Sequence, residues 1–175
     1  PLETSDSSLI SGMSVGICFF GSTNRIMIAD GISRRVMEFD SSGHFRRKFG
    51  RSGNGPGEYV SPIRLCPLGS NRLFVYDVAR NYVLTYDSVG DFVKGLYLTG
   101  TRVDQWGSSG KAAVLIGQDF NHDLTLSAKL ILEDKIQKLM ELDEYLEFPV
   151  LSRNHVFRSD LPPDSSGNFF FHRTD

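Results

Sequence analysis

Few residues in this 175-residue chain are spaced for chemistry, and the densest group is the run FGRSGNGPGEYVSP, Phe49 to Pro62. Gly50, Gly53, Gly55 and Gly57 surround Pro56, and the acidic–aromatic pair Glu58–Tyr59 follows. Backbone N–H groups in such a run can cradle a phosphate, or the glycines can simply turn a corner. A phosphate loop needs G-x-x-x-x-G-K and then Ser or Thr, between a strand and a helix. Here no Lys follows the glycines, and the next residues read as a strand, so no helix N-terminus would face the anion. The glycines give G-x-G-x-G, which is not the dinucleotide fingerprint G-x-G-x-x-G. GSSGK, Gly107 to Lys111, lacks both the spacing and the hydroxyl after the lysine. The run is therefore read as a turn, stiffened by Pro56, with Glu58 accepting backbone hydrogen bonds inside it.

Other groups are weaker. Asp119, Asn121 and Asp123 in DFNHD alternate as calcium-loop oxygen ligands do, but the sixth loop position is Leu124 in place of Gly and the twelfth is Leu130 in place of Glu. An ordinary hairpin turn is the main reading, with calcium as the minor one. His44, His122, His155 and His172 show no i,i+4 or H-E-x-x-H spacing, so no metal centre follows locally. G-x-S-x-G is absent, and no catalytic Ser/His/Asp set can be proposed from spacing. No cofactor is expected. Cys18 and Cys66 are too few for a disulfide framework or a zinc site.

Composition narrows the class. Apolar residues make up 40% and charged residues 23%, which predicts a globular chain. The formal charge is −2 with both signs interspersed, so nucleic acid is not an expected partner. Apolar runs such as LFVY, Leu73 to Tyr76, are far too short to cross a bilayer. The chain opens on PLETSDSS without a Met, so a processed or trimmed N-terminus is expected.

The elements that must hold these residues are set by a repeat. Asn24–Phe49 aligns without a gap on Asn71–Leu96 at an offset of 47. Asn24 and Arg25 meet Asn71 and Arg72, Asp30 meets Asp77, Asp40 meets Asp87, Gly43 meets Gly90, and Phe45 meets Phe92. Cys18 and Cys66 are 48 apart, in the preceding strand. RIMIAD and RLFVYD are short apolar strands closed by Asp. RRVMEFD and YVLTYD follow after a polar turn. DSSGHF and DSVGDF predict hairpin turns in which Gly supplies positive φ and the Asp side chain caps the turn. FRRKF and FVKGL are the last strands. With inner strands around GICFF and IRLCPL, each unit has four strands, the size of one propeller blade.

A third unit is degenerate. KAAVLIG, Lys111 to Gly117, stands as its second strand, with SAKLILED and KIQKLMEL as the third and fourth. Leu132, Ile136, Leu139 and Met140 also carry helical spacing, but the repeat register favours strands. SSGNFFFHRTD resembles GSNRLFVYDVA and begins a fourth unit. The expected boundaries are 1–13 for a leader, 14–57, 58–105 and 106–150 for three units, and 151–175 for the start of a fourth. Trp106, the only tryptophan, is either core or part of a stacking surface.

GRSGNGPGEY followed by SP, NRLFVYD, YDSVGDFVKGL and LDEYLEFP together resemble the six-bladed β-propellers with NHL-type repeats, especially a group from Bacteroidetes. The resemblance runs from about Ser14 to Asp175 and implies an all-β propeller of four-stranded antiparallel blades. Members of the group are often exported or lipid-anchored, which implies a cell-envelope location. About three and a half units stand where a ring needs six, so a fragment or truncated product is expected, with pairing of two chains as the alternative.

In such a blade the connection to the next blade shares a face with the second-to-third strand turn. That face would gather Arg34, Arg35, Arg51, Glu58, Tyr59, Arg80, Asn81 and His122, near Asp119 and Asp123. A non-catalytic binding or scaffold module follows, with a protein, peptide or glycan recognised on this face. A metal-dependent lyase or hydrolase with a site at the ring axis is the alternative. Asp30 and Asp77, equivalent in the repeat, are expected to satisfy turn backbones and not to act as acid and base. Cys18 and Cys66 are expected to pack as small apolar residues.

Overall fold

The computed structural model describes residues 9–11, 15–22, 25–108, 112–119, 125–132 and 135–142, all of them strand, turn or irregular. The chain divides into two compact units, Pro1–Thr99 and Gly100–Asp175.

The first unit holds two four-stranded antiparallel sheets in simple up-and-down order. The first is β1 (Val15–Phe20), β2 (Arg25–Asp30), β3 (Arg35–Phe39) and β4 (Phe45–Lys48). Two short parallel-paired segments, β5 (Arg51–Ser52) and β6 (Glu58–Tyr59), bracket the glycine run. The second sheet is β7 (Pro62–Leu68), β8 (Arg72–Asp77), β9 (Tyr82–Asp87) and β10 (Phe92–Tyr97). The middles of β2 and β8, Met27–Ala29 and Leu73–Tyr76, are continuous apolar runs and are buried on both sides of the strand. The outermost β4 alternates, with Arg46 and Lys48 exposed. A charged edge of that kind resists pairing with a stray strand.

The core lies between the two sheets. Phe20, Met27, Ala29 and Val36 come from the first, and Leu65, Leu73, Val75, Leu84 and Tyr86 from the second. Phe49 and Tyr59 enter from the linking loop, and Phe49 meets Phe20 and Tyr86 edge-on. β1 passes so close to β7 that a Cβ on Gly16 would stand 2.6 Å from the Ile63 carbonyl oxygen.

The hairpin turns form as expected. Gly43 and Gly90 have φ of 88° and 101°. Asp40 Oδ1 accepts from the N–H groups of Ser42 and His44 at 2.9 and 3.0 Å. Asp87 Oδ1 accepts from Val89, Gly90 and Asp91 at 2.9, 2.9 and 3.0 Å. These backbone donors hold both carboxyls below the usual aspartate range.

The second unit holds one four-stranded antiparallel sheet: β11 (Thr101–Ser108), β12 (Ala112–Asp119), β13 (Thr125–Leu132) and β14 (Lys135–Leu142). The segment with helical spacing is strand. Leu132 pairs with Ala112 and Lys135, Ile136 with Ile131 and Met140 with Ala128, so ladder pairing outweighs local propensity. β11 opens at Thr101 and runs across the expected boundary between residues 105 and 106. It carries the backbone of Trp106 opposite Leu115. Of LDEYLEFP all but Leu142, the whole of SSGNFFFHRTD, and residues 1–8 and 12–13 of the expected 1–13 leader lie outside the described residues.

Candidate binding face

Two equivalent turns and one loop build the face. Asp30, which has no exposed surface, closes β2 and accepts from the N–H groups of Ile32 and Ser33, both at 3.1 Å. It also accepts from Ser11, by N–H at 2.7 Å and by hydroxyl at 2.5 Å. Burial alone would push this carboxyl up, but the hydrogen bonds from Ser11 and Ser33 outweigh it and bring it down to about 2. Asp77 does the same work one repeat later. It accepts from Ala79 N–H at 3.2 Å and from Arg80 Nε at 2.8 Å. It also holds the incoming loop through the N–H groups of Val60 and Ser61, at 2.8 and 3.0 Å. These are turn-satisfying carboxylates, as the repeat implied. Each turn then passes through a left-handed residue, Arg34 at φ 54° and Asn81 at φ 50°.

The glycine run is filled by its own chain. Glu58 Oε2 accepts from Gly55 N–H at 2.7 Å, and Oε1 pairs with Arg51 Nε at 2.6 Å. Gly53 N–H reaches the Tyr59 carbonyl at 3.0 Å, and Glu58 N–H reaches that of Gly55 at 3.1 Å. A carboxylate therefore sits where a phosphate would be cradled. Below it, the Tyr59 hydroxyl donates to the Phe49 carbonyl at 2.9 Å and accepts from Val36 N–H at 3.1 Å. The Tyr86 hydroxyl donates to the Gly57 carbonyl at 2.8 Å. Burial pushes up the hydroxyls of both tyrosines, that of Tyr59 to about 12.

Loop and turns meet on one side of the sheets. Ser61 Oγ donates to the Gly31 carbonyl at 3.4 Å, Val78 N–H to the Ser61 carbonyl at 3.1 Å, and the Arg80 guanidinium to the Glu58 carbonyl. The expected residues divide accordingly. Arg34 and Arg51 are exposed, Arg51 while paired with Glu58. Arg35 donates to the Leu9 carbonyl at 2.7 Å. Arg80 is held by Asp77 and lies over the Tyr82 ring at 5.3 Å. Asn81 bridges the Tyr76 hydroxyl and the Leu98 carbonyl. Tyr59 is 1% exposed and lies beneath the surface. Asp119 ends β12, while Asn121, His122 and Asp123 lie outside the described residues. Ile32, 55% exposed at the tip of the first turn, was missed by the reading for charge. An apolar residue between Gly31 and Ser33 was its signal.

On the opposite side, Glu38 joins Arg25 at 3.2 Å and Arg47 at 2.9 Å. Both arginines donate onward to the β9–β10 turn, at the carbonyls of Ser88 and Val89. Among the described residues no group of three or more His, Cys, Asp or Glu could hold a metal ion. No helix among them is long and apolar enough to cross a membrane.

The family DUF5128, described as a 6-bladed beta-propeller, matches residues 1–114. The chain belongs to this propeller family. Two solved structures are similar in fold to the propeller chain. A candidate exported protein of Bacteroides fragilis NCTC 9343 is 17% identical with a TM-score of 0.54, over 78% of this chain and 52% of its own. Virginiamycin B lyase from Staphylococcus aureus is 16% identical with a TM-score of 0.53, over 70% of this chain and 39% of its own. The propeller chain thus spans about half the length of the first and less of the second. At these identities the likeness carries the fold alone. No curated protein matches the chain.

Proposed function

We propose that this propeller chain is a non-catalytic binding or scaffold module. Its loop face, with Arg34, Arg51 and Ile32 outermost, recognises a protein, peptide or glycan. One observation carries the reading: the face is ordered by its own bonds before any partner arrives. Asp30, Asp77, Glu58 and Asn81 are engaged with turn and loop backbone, which fixes the exposed side chains on a rigid base. Preorganisation of that kind lowers the ordering cost of binding. Propellers in general present loop faces to partners.

The lyase reading is not favoured. The similarity to virginiamycin B lyase is at fold level, and the described carboxylates of this face, Asp30, Asp77 and Glu58, are engaged by backbone donors.

Peptide and glycan arrays probed with the wild-type protein and with an Arg34→Asn, Arg51→Ser variant test the proposal. Asn tolerates the left-handed backbone at position 34, so the turn should survive. Binding that weakens at least about tenfold in a variant of unchanged melting temperature is expected. Ligands retained equally by the variant would refute the face, and stoichiometric divalent metal in the purified protein would refute the non-catalytic assignment.

A further inference from the structure

Asn54 is the only asparagine in the chain that is followed by glycine, and it stands exposed between β5 and β6. An asparagine in that setting has a reaction of its own. The backbone nitrogen of the next residue can attack the side-chain Cγ, and a glycine there has no Cβ to hinder the approach. The nucleophile is the nitrogen after loss of its proton, so whatever holds that proton governs the rate.

In this loop the proton is held. Gly55 N–H donates to Glu58 Oε2 at 2.7 Å, and the Gly55 carbonyl accepts from Glu58 N–H at 3.1 Å. On the other side of Asn54, Gly53 N–H donates to the Tyr59 carbonyl at 3.0 Å. The carboxylate fits because both neighbours of Asn54 are glycine. A Cβ on Gly53 would stand 2.0 Å from Oε2, and one on Gly55 3.0 Å. Arg51 Nε fixes the other oxygen at 2.6 Å. A hydrogen bond to a charged acceptor is stronger than one between neutral groups. Removing the proton from Gly55 N would also set two anions side by side, which raises the cost further.

We propose that Asn54–Gly55 is a site of spontaneous backbone modification, held in check by the Glu58 carboxylate. When that contact opens, Gly55 N loses its proton to hydroxide and bonds to Asn54 Cγ. The Cγ–Nδ2 bond breaks, and the nitrogen leaves as ammonia after taking a proton from water. Water then opens the five-membered ring at either carbonyl, and nothing is oxidised or reduced. One product is aspartate, and the other is its isomer, in which the backbone runs through the side-chain methylene. Each adds a carboxylate to the loop that holds Glu58, and the isomer adds a backbone carbon between Gly53 and Gly55. The change is one-way, and it falls in the segment that links the first two sheets.

Mass spectrometry of the purified chain, held at mildly alkaline pH and sampled over time, tests this through loss of the Asn54 amide. Conversion in the folded wild type should be at least about tenfold slower than in the urea-unfolded chain. Glu58→Gln, which keeps the shape of the side chain and removes its charge, should convert at least about fivefold faster than folded wild type. Asn71, exposed at a turn but followed by Arg72, is the internal reference and should convert more slowly than Asn54 in the unfolded chain. If Glu58→Gln does not fold, amide exchange of the wild type decides, because it reads removal of the same proton. Gly55 must then exchange at least about tenfold more slowly than in the unfolded chain. Equal conversion in folded and unfolded wild type overturns the proposal, as does a folded Glu58→Gln that converts no faster. An unprotected Gly55 amide, or an unfolded chain in which Asn54 is no more reactive than Asn71, overturns it as well.

Discussion

Gly53 has no room for a methyl group, since a Cβ there would stand 2.0 Å from Oε2 of Glu58. Gly53→Ala must push the carboxylate out of the loop, and with it the bond to Gly55 N–H and the pairing with Arg51. We expect a loss of about 1–3 kcal/mol, read as a lower melting temperature with little change in the circular dichroism spectrum. Asp30 gives a pH signature. Its folded pKa, about 2, lies below the unfolded value of 3.8, so its contribution is complete above about pH 4 and disappears as pH falls through 2. That contribution is on the order of 2 kcal/mol. Thermal melts between pH 5 and 2 should show a fall in wild type that Asp30→Asn lacks in this window. An Asn variant falling as steeply would assign the acid sensitivity to other carboxylates. The cysteines also resolve at this scale. Cys18 faces the second sheet, whereas Cys66 stands opposite Phe74, whose repeat equivalent, Met27, faces the following sheet, so it points away from Cys18. Burial, with Cys66 nearby, pushes the Cys18 thiol up to about 12, and neither cysteine is in a disulfide.

Among elements, the β9–β10 turn depends on a partner that no sequence pattern announced. Arg25 and Arg47 grip its carbonyls, and Glu38 keeps the two guanidinium groups together. Glu38→Ala should cost about 2 kcal/mol, because two partly buried like charges lose their shared counterion. Hydrogen exchange at residues 88–91 should rise with it, and an unchanged exchange rate would show that the turn stands without the grip. Glu38 and Arg47 lie on neighbouring strands, but Ser88 is 63 residues from Arg25, so only the stacking of sheets brings them together. What was legible in advance was local or repeated: the hairpin turns at Asp40 and Asp87, the backbone role of Asp30 and Asp77, and β13 and β14 as strands. The location of Tyr59 was not legible, because Glu58–Tyr59 reads as a surface pair until β6 turns alternate side chains inward and outward. Ile32 was missed for the converse reason, since apolar residues in turns are usually covered.

For the whole molecule, the repeat was the decisive signal, and it survives without any catalytic motif. Six-bladed propeller membership follows from it and from the match over residues 1–114. Ligand identity does not follow, because the face that would hold it is made of turns, whose residues answer first to backbone geometry. Arg34 illustrates the conflict, being exposed and cationic at a position where a left-handed backbone would favour Gly or Asn. The array experiment belongs to this scale.

Asp77 fastens the segment that precedes its own sheet, at Val60 and Ser61, and Asp30 fastens Ser11 ahead of the first. Both sheets of Pro1–Thr99 therefore bring their own upstream latch. A gene duplication of one such unit would arrive with the means of attachment already encoded, and a lineage could lengthen or shorten the array without inventing a joint each time.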